Sequence, residues 1–532
     1  MPRTPAGRAD APASALDPDS VRYVPSPDRD NSPRLTSGSP AGPVDAANPT
    51  NPTDPTNVSA LRQAALEVLL DEQLSEVVDL VAWREGSHVM VANAAGRARA
   101  CADEPGAQFE LLAGESPIAS QDPFHGVPLA AALADPSPPN VRNSYPDAAR
   151  RLASAFADPT RSPDLHVIHT PRHHWPERGG HLGEHGSLDA GQSRAPLLLS
   201  GAGVMASGIL PRTARVIDVG PTLAHAAGGS FLSAEGRALT DLVEPGAELV
   251  LGLLWDGANC NDLLHLAAEG TLPHVARLLD RGCALAGGAM AEFPSVTLVN
   301  HTSALCGVGP GRHGIVGNVF YDRATGMRHL ANDSATWHHA CDLLRPGATT
   351  VFEVCRDLVT ACVNEPIDRG AGYSTFGLIR DAGASDGAKS MQSSLPPPQD
   401  DPHATQEFVA CDPDYAWSTQ VDAFGLEQVI QQLAAPTPPA LMWWNTTLTD
   451  TGHHSGGPYS RAARAALQDA DRRLGVVLDI LVREGRLDRT TILLTADHGS
   501  EGADPGCRGD WDDALSTAGI PVRDEGYGAL YF

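Results

Sequence analysis

Glu248-Leu-Val-Leu-Gly-Leu-Leu-Trp255 is an unbroken apolar run that stops at Asp256-Gly257. A run without polar alternation belongs to a strand covered on both faces, as in a parallel sheet flanked by helices. Ala440–Asn445 and Thr490–Ala496 read the same way, and each is followed closely by an acid, Asp450 and Asp497. Acids just beyond the carboxyl ends of strands stand where an open α/β sheet builds its binding crevice. Helical spacing at Leu272–Leu279 and Arg461–Val482 supplies the covering layers,. The expected fold is therefore α/β, doubly wound around a mostly parallel sheet. Residues 320–440, with Pro-rich pieces such as Leu395-Pro-Pro-Pro398, are expected to form an inserted cap that shapes substrate access.

Upstream, residues 1–57 are rich in Pro, Asp, Ser, Ala and Asn and bury too little apolar surface to offset ordering entropy, so they read as a disordered tail,. Beyond them the spacing predicts a helix over Leu61–Leu74, a strand at Val77–Ala82 and a helix at Asp147–Phe156 opened by Pro146. Strands follow at Leu165–His169 and Ala195–Ser200, and a helix starts within Val216–Ala224. Residues 58–242 and 243–532 are read as two parts of one catalytic domain,.

The chain has 532 residues and a formal net charge of -27, which argues against a general nucleic-acid surface,. A small phosphorylated substrate stays compatible, because bound divalent ions reverse the local field. The nine cysteines are scattered without a Cys-x-x-Cys pair, which favours free thiols in a reducing compartment,. No run approaches the roughly 20 apolar residues of a membrane span, and no apolar run follows Arg3 and Arg8 as in a secretory signal,. The expected location is cytoplasmic, with no membrane partner.

Thr297 follows Phe293-Pro-Ser-Val296 and opens a stretch, Thr297–Cys306, that can be helical and ends at Gly307. A hydroxyl at a helix start sits among free N–H groups and the positive end of the dipole, which suits phosphate; most such threonines are simply caps. Asp450 and His454, four apart, can converge on one ion, with His453 as a rival. Asp497-His498 can share an ion where its strand ends in a turn, although an Asp at a strand end is common.

Taken jointly, these motifs resemble the nucleotide pyrophosphatase/phosphodiesterase branch of the alkaline phosphatase superfamily. The matching pieces are Asp256-Gly257, Pro294-Ser-Val-Thr-Leu-Val-Asn-His301 and His313-Gly-Ile-Val-Gly-Asn318. The others are Asp450…His454…Gly457-Pro458, Asp497-His-Gly499 and Glu184-His185-Gly186. The Gly-Pro offset favours His454. In the family the last histidine follows Asp-His-Gly; here His185, Arg194-Ala-Pro-Leu-Leu-Leu-Ser-Gly-Ala-Gly203 and Ile217-Asp-Val-Gly-Pro-Thr-Leu223 keep their internal order but precede the first strand. A circular permutation accounts for this, with Gly526–Phe532 as the former neighbour of Leu61–Ala82,. His181, His173 and His174 are rivals of His185.

The resemblance implies two divalent ions, zinc or else manganese. Asp256, Asp497, His498 and Thr297 would hold one; Asp450, His454 and His185 would hold the other,. It implies Thr297 as nucleophile, a phospho-threonine intermediate, Asn300 as a donor to a non-bridging oxygen, and Asn300 with Asn318 on the substrate. The expected reaction is hydrolysis of a phosphodiester or phosphoanhydride, such as a nucleotide derivative. The alternatives are a phosphonate or phosphomonoester hydrolase and a non-catalytic metal-binding relative.

Overall fold

Strand Leu249–Trp255 lies at the centre of an eight-stranded sheet, fully buried along its length. The computed structural model describes residues 55–101, 108–135, 143–175 and 180–532. The strand order is Tyr373–Ser374, Thr360–Val363, Leu441–Thr446, Leu249–Trp255, Thr490–Thr495, Leu197–Gly201, Gly282–Leu285, Gly208–Leu210. The first five run parallel to one another, and Leu197–Gly201 is antiparallel to both its neighbours. The sheet is thus mostly parallel, and the protein is α/β.

Register decides where the acids emerge. Trp255 pairs with Thr446 and Leu254 with Thr495. Continuing by two residues sets Asp256 level with Asp497. Thr360 pairs with Leu441 and Val363 with Trp444, so Glu365 leaves its strand at the same rim. The covering helix Arg461–Arg483 buries Leu467, Leu474, Val477, Leu478 and Leu481 in the core that includes Leu251, Leu253 and Trp443. Their three- and four-residue spacing is that of one helix face.

A second sheet of seven strands is antiparallel throughout, in the order Arg523–Asp524, Ala529–Tyr531, Leu165–His169, Val78–Glu85, His88–Asn93, Gly96–Cys101, Gln108–Gly114. Its strands alternate: Val81 and Trp83 face a cluster with Leu69, Trp175 and Trp511, while Leu80 and Ala82 face one with Leu152, Phe156 and Phe293. That is the period-two pattern of a sheet with a core on each side.

Several boundaries differ from the sequence reading. The Leu61–Leu74 helix is Pro55–Leu69 followed by a 3₁₀ turn at Glu72–Leu74, with Asp71 capping Gln73 N–H. The expected tail therefore overlaps this helix at residues 55–57, and its residues 1–54 lie outside the described ones. The Ala195–Ser200 strand splits into Arg194–Ala195 and Leu197–Gly201 around Pro196, which has no N–H to give a ladder,. The largest correction concerns residues 320–440. Thr360–Val363 and Tyr373–Ser374 are strands of the main sheet, and helix Pro413–Leu433 packs against it through Val429 and Leu433. Apolar runs of four residues and fewer are too short to distinguish from loop. Among the described residues no helix is long and apolar enough to cross a membrane.

Candidate metal and phosphoryl-transfer site

The site forms where the central strands end. Asp256 and Asp497 follow their strands directly, and Asp450 lies in the first turn of helix Leu448–Gly456, which follows Leu441–Thr446. Gly257 has φ +63, and a Cβ there would come within 2.4 Å of Asp450 Oδ1, so only glycine permits this approach,. Its N–H donates to Asp497 Oδ1 at 3.0 Å.

His185 arrives from far away in sequence. Gly183–Glu184 pairs with Glu501–Gly502, which ties the His185 loop to the segment after Asp497-His498. His185 Nδ1 donates to Ser295 O at 3.1 Å, and Gly186 N donates to Ser295 Oγ, also at 3.1 Å. The loop is therefore bonded to the turn that carries Thr297. The His185 ring stacks on His498 at 3.9 Å and lies 5.2 Å from His454.

Ligand atoms of His185, Asp450 and His454 lie within 4.8 Å of one another, as do those of Asp256, Asp450 and His498. His454 Nε2 is 3.0 Å from Asp450 Oδ2, and His498 Nε2 is 3.1 Å from Asp497 Oδ2. Of the rivals, His181 groups with Glu184 and His454, whereas His173 packs on Trp175 and Trp511 with Nε2 on Gly509 O. Neither His173, His174 nor His453 belongs to such a group among the described residues.

The donor set fits divalent cations. Asp256 Oδ1, Asp450 Oδ1, Asp497 Oδ2, His301 Nε2 and His498 Nε2 are buried without a hydrogen-bond partner. Buried polar atoms are nearly always satisfied, so five orphans converging on one rim call for a cation. Nδ1 of His185, of His454 and of His498 each meets a backbone carbonyl, which can only accept. That fixes the tautomer with the Nε2 lone pair toward the site. Charge tells the same story. Burial, then the Asp497 charge, pushes Asp256 up to about 7, and burial lifts Asp497 to about 6 against the pull of His301. For Asp450, burial opposes but His454 prevails, holding its carboxyl well below the usual range. Burial, with His498 next, holds His185 well below its ordinary value.

Thr297, nine-tenths buried, is the first residue of helix Thr297–Cys306. With Asp256 and His301 it lines a cavity whose other walls include Leu298, Trp337, Pro366, Phe376 and Val421. Asn318 Oδ1 accepts from Leu298 N–H at 3.0 Å, which holds this half-buried carboxamide at the helix start. Asn300 is a correction. Fully buried, its Oδ1 accepts from Glu292 N at 2.7 Å, and its Nδ2 donates to the carbonyls of Glu292, Pro294 and Val296. Its hydrogen-bonding capacity is used in fastening the Glu292–Val296 turn, so no donor is left for a substrate oxygen.

Two residues outside the sequence-derived set stand at the rim. His301 is one helical turn after Thr297, and Glu365 holds its Nδ1 at 2.9 Å. The four-residue spacing inside the Thr297 helix was a usable signal for His301. Glu365 carried none.

A search of curated proteins finds no match. Among solved structures, murine ectonucleotide pyrophosphatase/phosphodiesterase 5, as an inactive variant in complex with AMP, is 17% identical with a TM-score of 0.33, over 49% of this chain and 59% of that one. Phosphonoacetate hydrolase from Sinorhizobium meliloti 1021 in complex with phosphonoformate is 22% identical with a TM-score of 0.34, over 50% and 59%. The chain thus spans less than two thirds of the length of either. The family model for type I phosphodiesterase / nucleotide pyrophosphatase matches residues 250–531, more than half of the sequence. The chain belongs to this type I phosphodiesterase / nucleotide pyrophosphatase family.

Proposed function

We propose that the protein is a metal-dependent hydrolase of phosphodiester or phosphoanhydride bonds that uses two divalent ions and Thr297 as nucleophile. The observation that carries this reading is the group of orphaned acid and imidazole atoms at the strand ends, beside the cavity that Thr297 lines. Asp256, Asp497, His498 and Thr297 would hold one ion; Asp450, His454 and His185 would hold the other. Zinc suits this all-Asp/His set, with manganese the next candidate. Bound there, the ions would supply Lewis-acid stabilisation of the developing oxyanions.

The chain's own groups do the rest. Thr297 Oγ1 attacks phosphorus, the alcohol or phosphate leaving group departs, and a phospho-threonine remains for water to hydrolyse. The start of the Thr297 helix would offer backbone N–H groups to the non-bridging oxygens, Leu298 N–H excepted because Asn318 Oδ1 accepts it,. Asn318, with its Oδ1 engaged by Leu298 N–H, has its Nδ2 as the side-chain donor to such an oxygen, the role first expected of Asn300. Trp337, Phe376 and Val421 offer an apolar wall to the organic part of an ester. This favours a small organic phosphate, such as a nucleotide derivative, over inorganic phosphate. The position of 58–242 ahead of strand Leu249–Trp255 we ascribe to circular permutation. Strand Leu197–Gly201 lies beside Thr490–Thr495, and Ala529–Tyr531 beside Leu165–His169.

The test is hydrolysis of a chromogenic phosphodiester and its matching monoester with added zinc. Faster diester turnover, abolished in Thr297→Ala with both ions still bound, is the expected result. Turnover retained by Thr297→Ala would remove it as nucleophile, and a faster monoester would reassign the substrate class.

A further inference from the structure

His301 and Glu365 form a buried pair that the proposed reaction leaves unused. The packing histidine His166 turns its unpartnered Nε2 side toward apolar surroundings, its ring 4.5 Å from that of Phe293, whereas the free nitrogen of His301 faces two carboxylates. In His301, Nδ1 is bonded to Glu365 Oε2 at 2.9 Å, while Nε2 has no hydrogen-bond partner. That Nε2 stands 3.6 Å from Asp256 Oδ2 and 3.6 Å from Asp497 Oδ2. The separation is too long for a hydrogen bond. It matches donors sharing one ion: atoms each about 2.0–2.2 Å from a zinc at near-tetrahedral angles stand about 3.3–3.6 Å apart, and zinc can expand from four ligands to five.

Glu365 is fully buried, an expensive place for a carboxylate unless it is fully bonded,. Its Oε2 also accepts from Trp443 Nε1 at 3.0 Å, and its Oε1 accepts from Ile367 N at 3.0 Å. Both oxygens therefore act as acceptors, and Nδ1 of His301 donates to Oε2. This directs the Nε2 lone pair at the two aspartates. Two carboxylate oxygens and an imidazole facing one another in a dry site need positive charge among them, a proton on Nε2 or a metal ion, and the 3.6 Å separations are those of donors sharing an ion rather than of a hydrogen bond,. A carboxylate behind a histidine is also the arrangement that orients metal-binding imidazoles and raises their basicity.

We propose that His301 is an additional ligand of the ion held by Asp256 and Asp497, and that Glu365, braced by Trp443, is its positioning residue. The inference rests on the two-ion reading. It differs from the site drawn from sequence, in which this ion takes no second histidine.

The test reads metal, not turnover, on the full chain. Zinc stoichiometry and affinity are measured by competition with a chromophoric chelator for wild type, His301→Ala, His301→Gln, Glu365→Gln and Trp443→Phe. The visible spectrum of the cobalt-loaded proteins is recorded alongside, and chelator-treated samples are compared for thermal midpoint. Wild type is expected to bind two ions. The His301 variants should keep one and bind the other at least about 10–100-fold more weakly, with an altered cobalt spectrum. Glu365→Gln should lose about 10–100-fold at the same site. Trp443→Phe keeps every ligand and should lose less. Two ions at unchanged affinity and an unchanged cobalt spectrum in the His301 and Glu365 variants would overturn the inference alone. A wild type that binds no ions would overturn it together with the two-ion reading.

Discussion

Asn300 and Asn318 put the same carboxamide to different uses. Asn300 fastens a turn with backbone bonds and is fully buried, whereas Asn318 accepts one N–H from the Thr297 helix and stays half-buried. Opposite consequences follow from truncating them. Asn318→Ala should lower kcat by about 10²–10³ with the unfolding midpoint little changed, the usual loss for one oxyanion donor. Asn300→Ala leaves buried backbone groups of the Glu292–Val296 turn unpaired and should cost about 1–3 kcal/mol of stability. Denaturant titration beside steady-state kinetics separates the two; a purely kinetic defect in Asn300→Ala would restore it as a substrate donor. Sequence motifs identify an asparagine near a nucleophile but carry no information on where its amide points. The bonds of Asn300 and Asn318 supply that information and favour Asn318 as the substrate donor.

At the scale of elements, strand Leu165–His169 carries a second consequence of burial. His166 is 1% exposed, its Nε2 has no partner and its ring lies 4.5 Å from that of Phe293. Burial lowers its pKa to about 4. In the unfolded chain the same imidazole titrates near its ordinary 6.5. The unfolded state thus takes up a proton that the folded state refuses. Stability from this residue is intact above about pH 6.5, is lost as pH falls, and levels off below about 4; the loss is about 3 kcal/mol at 1.36 kcal/mol per unit. His166→Phe should therefore flatten the acid side of the stability profile. Urea midpoints at pH 7 and 4.5 would check this, and an equal drop in both proteins would clear His166 of the effect. The parallel strands were legible because burial on both faces leaves an unbroken apolar signature. Thr360–Val363 shares that burial but is only four residues long, and it was absorbed into the expected cap.

For the whole molecule, the telling feature is that His185 precedes the first strand of the main sheet in sequence and yet reaches its rim. Its loop is bonded to the segments at 295 and 501, and the strand after it lies between Thr490–Thr495 and Gly282–Leu285. If circular permutation produced this order, the order itself is dispensable. A gene encoding 243–532, a flexible linker and then 55–242 should yield a protein with the same metal stoichiometry and an unfolding midpoint within a few degrees. A transposed protein that folds but binds one ion would mean that the connection through residues 242–248 is needed to seat His185. Ala529–Tyr531 and Val78–Glu85, close to the two ends that would be joined, flank the same strand, Leu165–His169.

The sequence alone determined the strands that lead to Asp256, Asp450 and Asp497 and the helix that begins at Thr297. These depend on apolar runs and local spacing, which sterics and burial translate directly into strand and helix. Tertiary structure alone decided which upstream histidine meets Asp450 and His454, and that Asn300 faces its own turn. It also brought Glu365 behind His301, 64 residues apart. Such meetings depend on strand register and on how loops cross the sheet rim, and no local pattern in the chain encodes them.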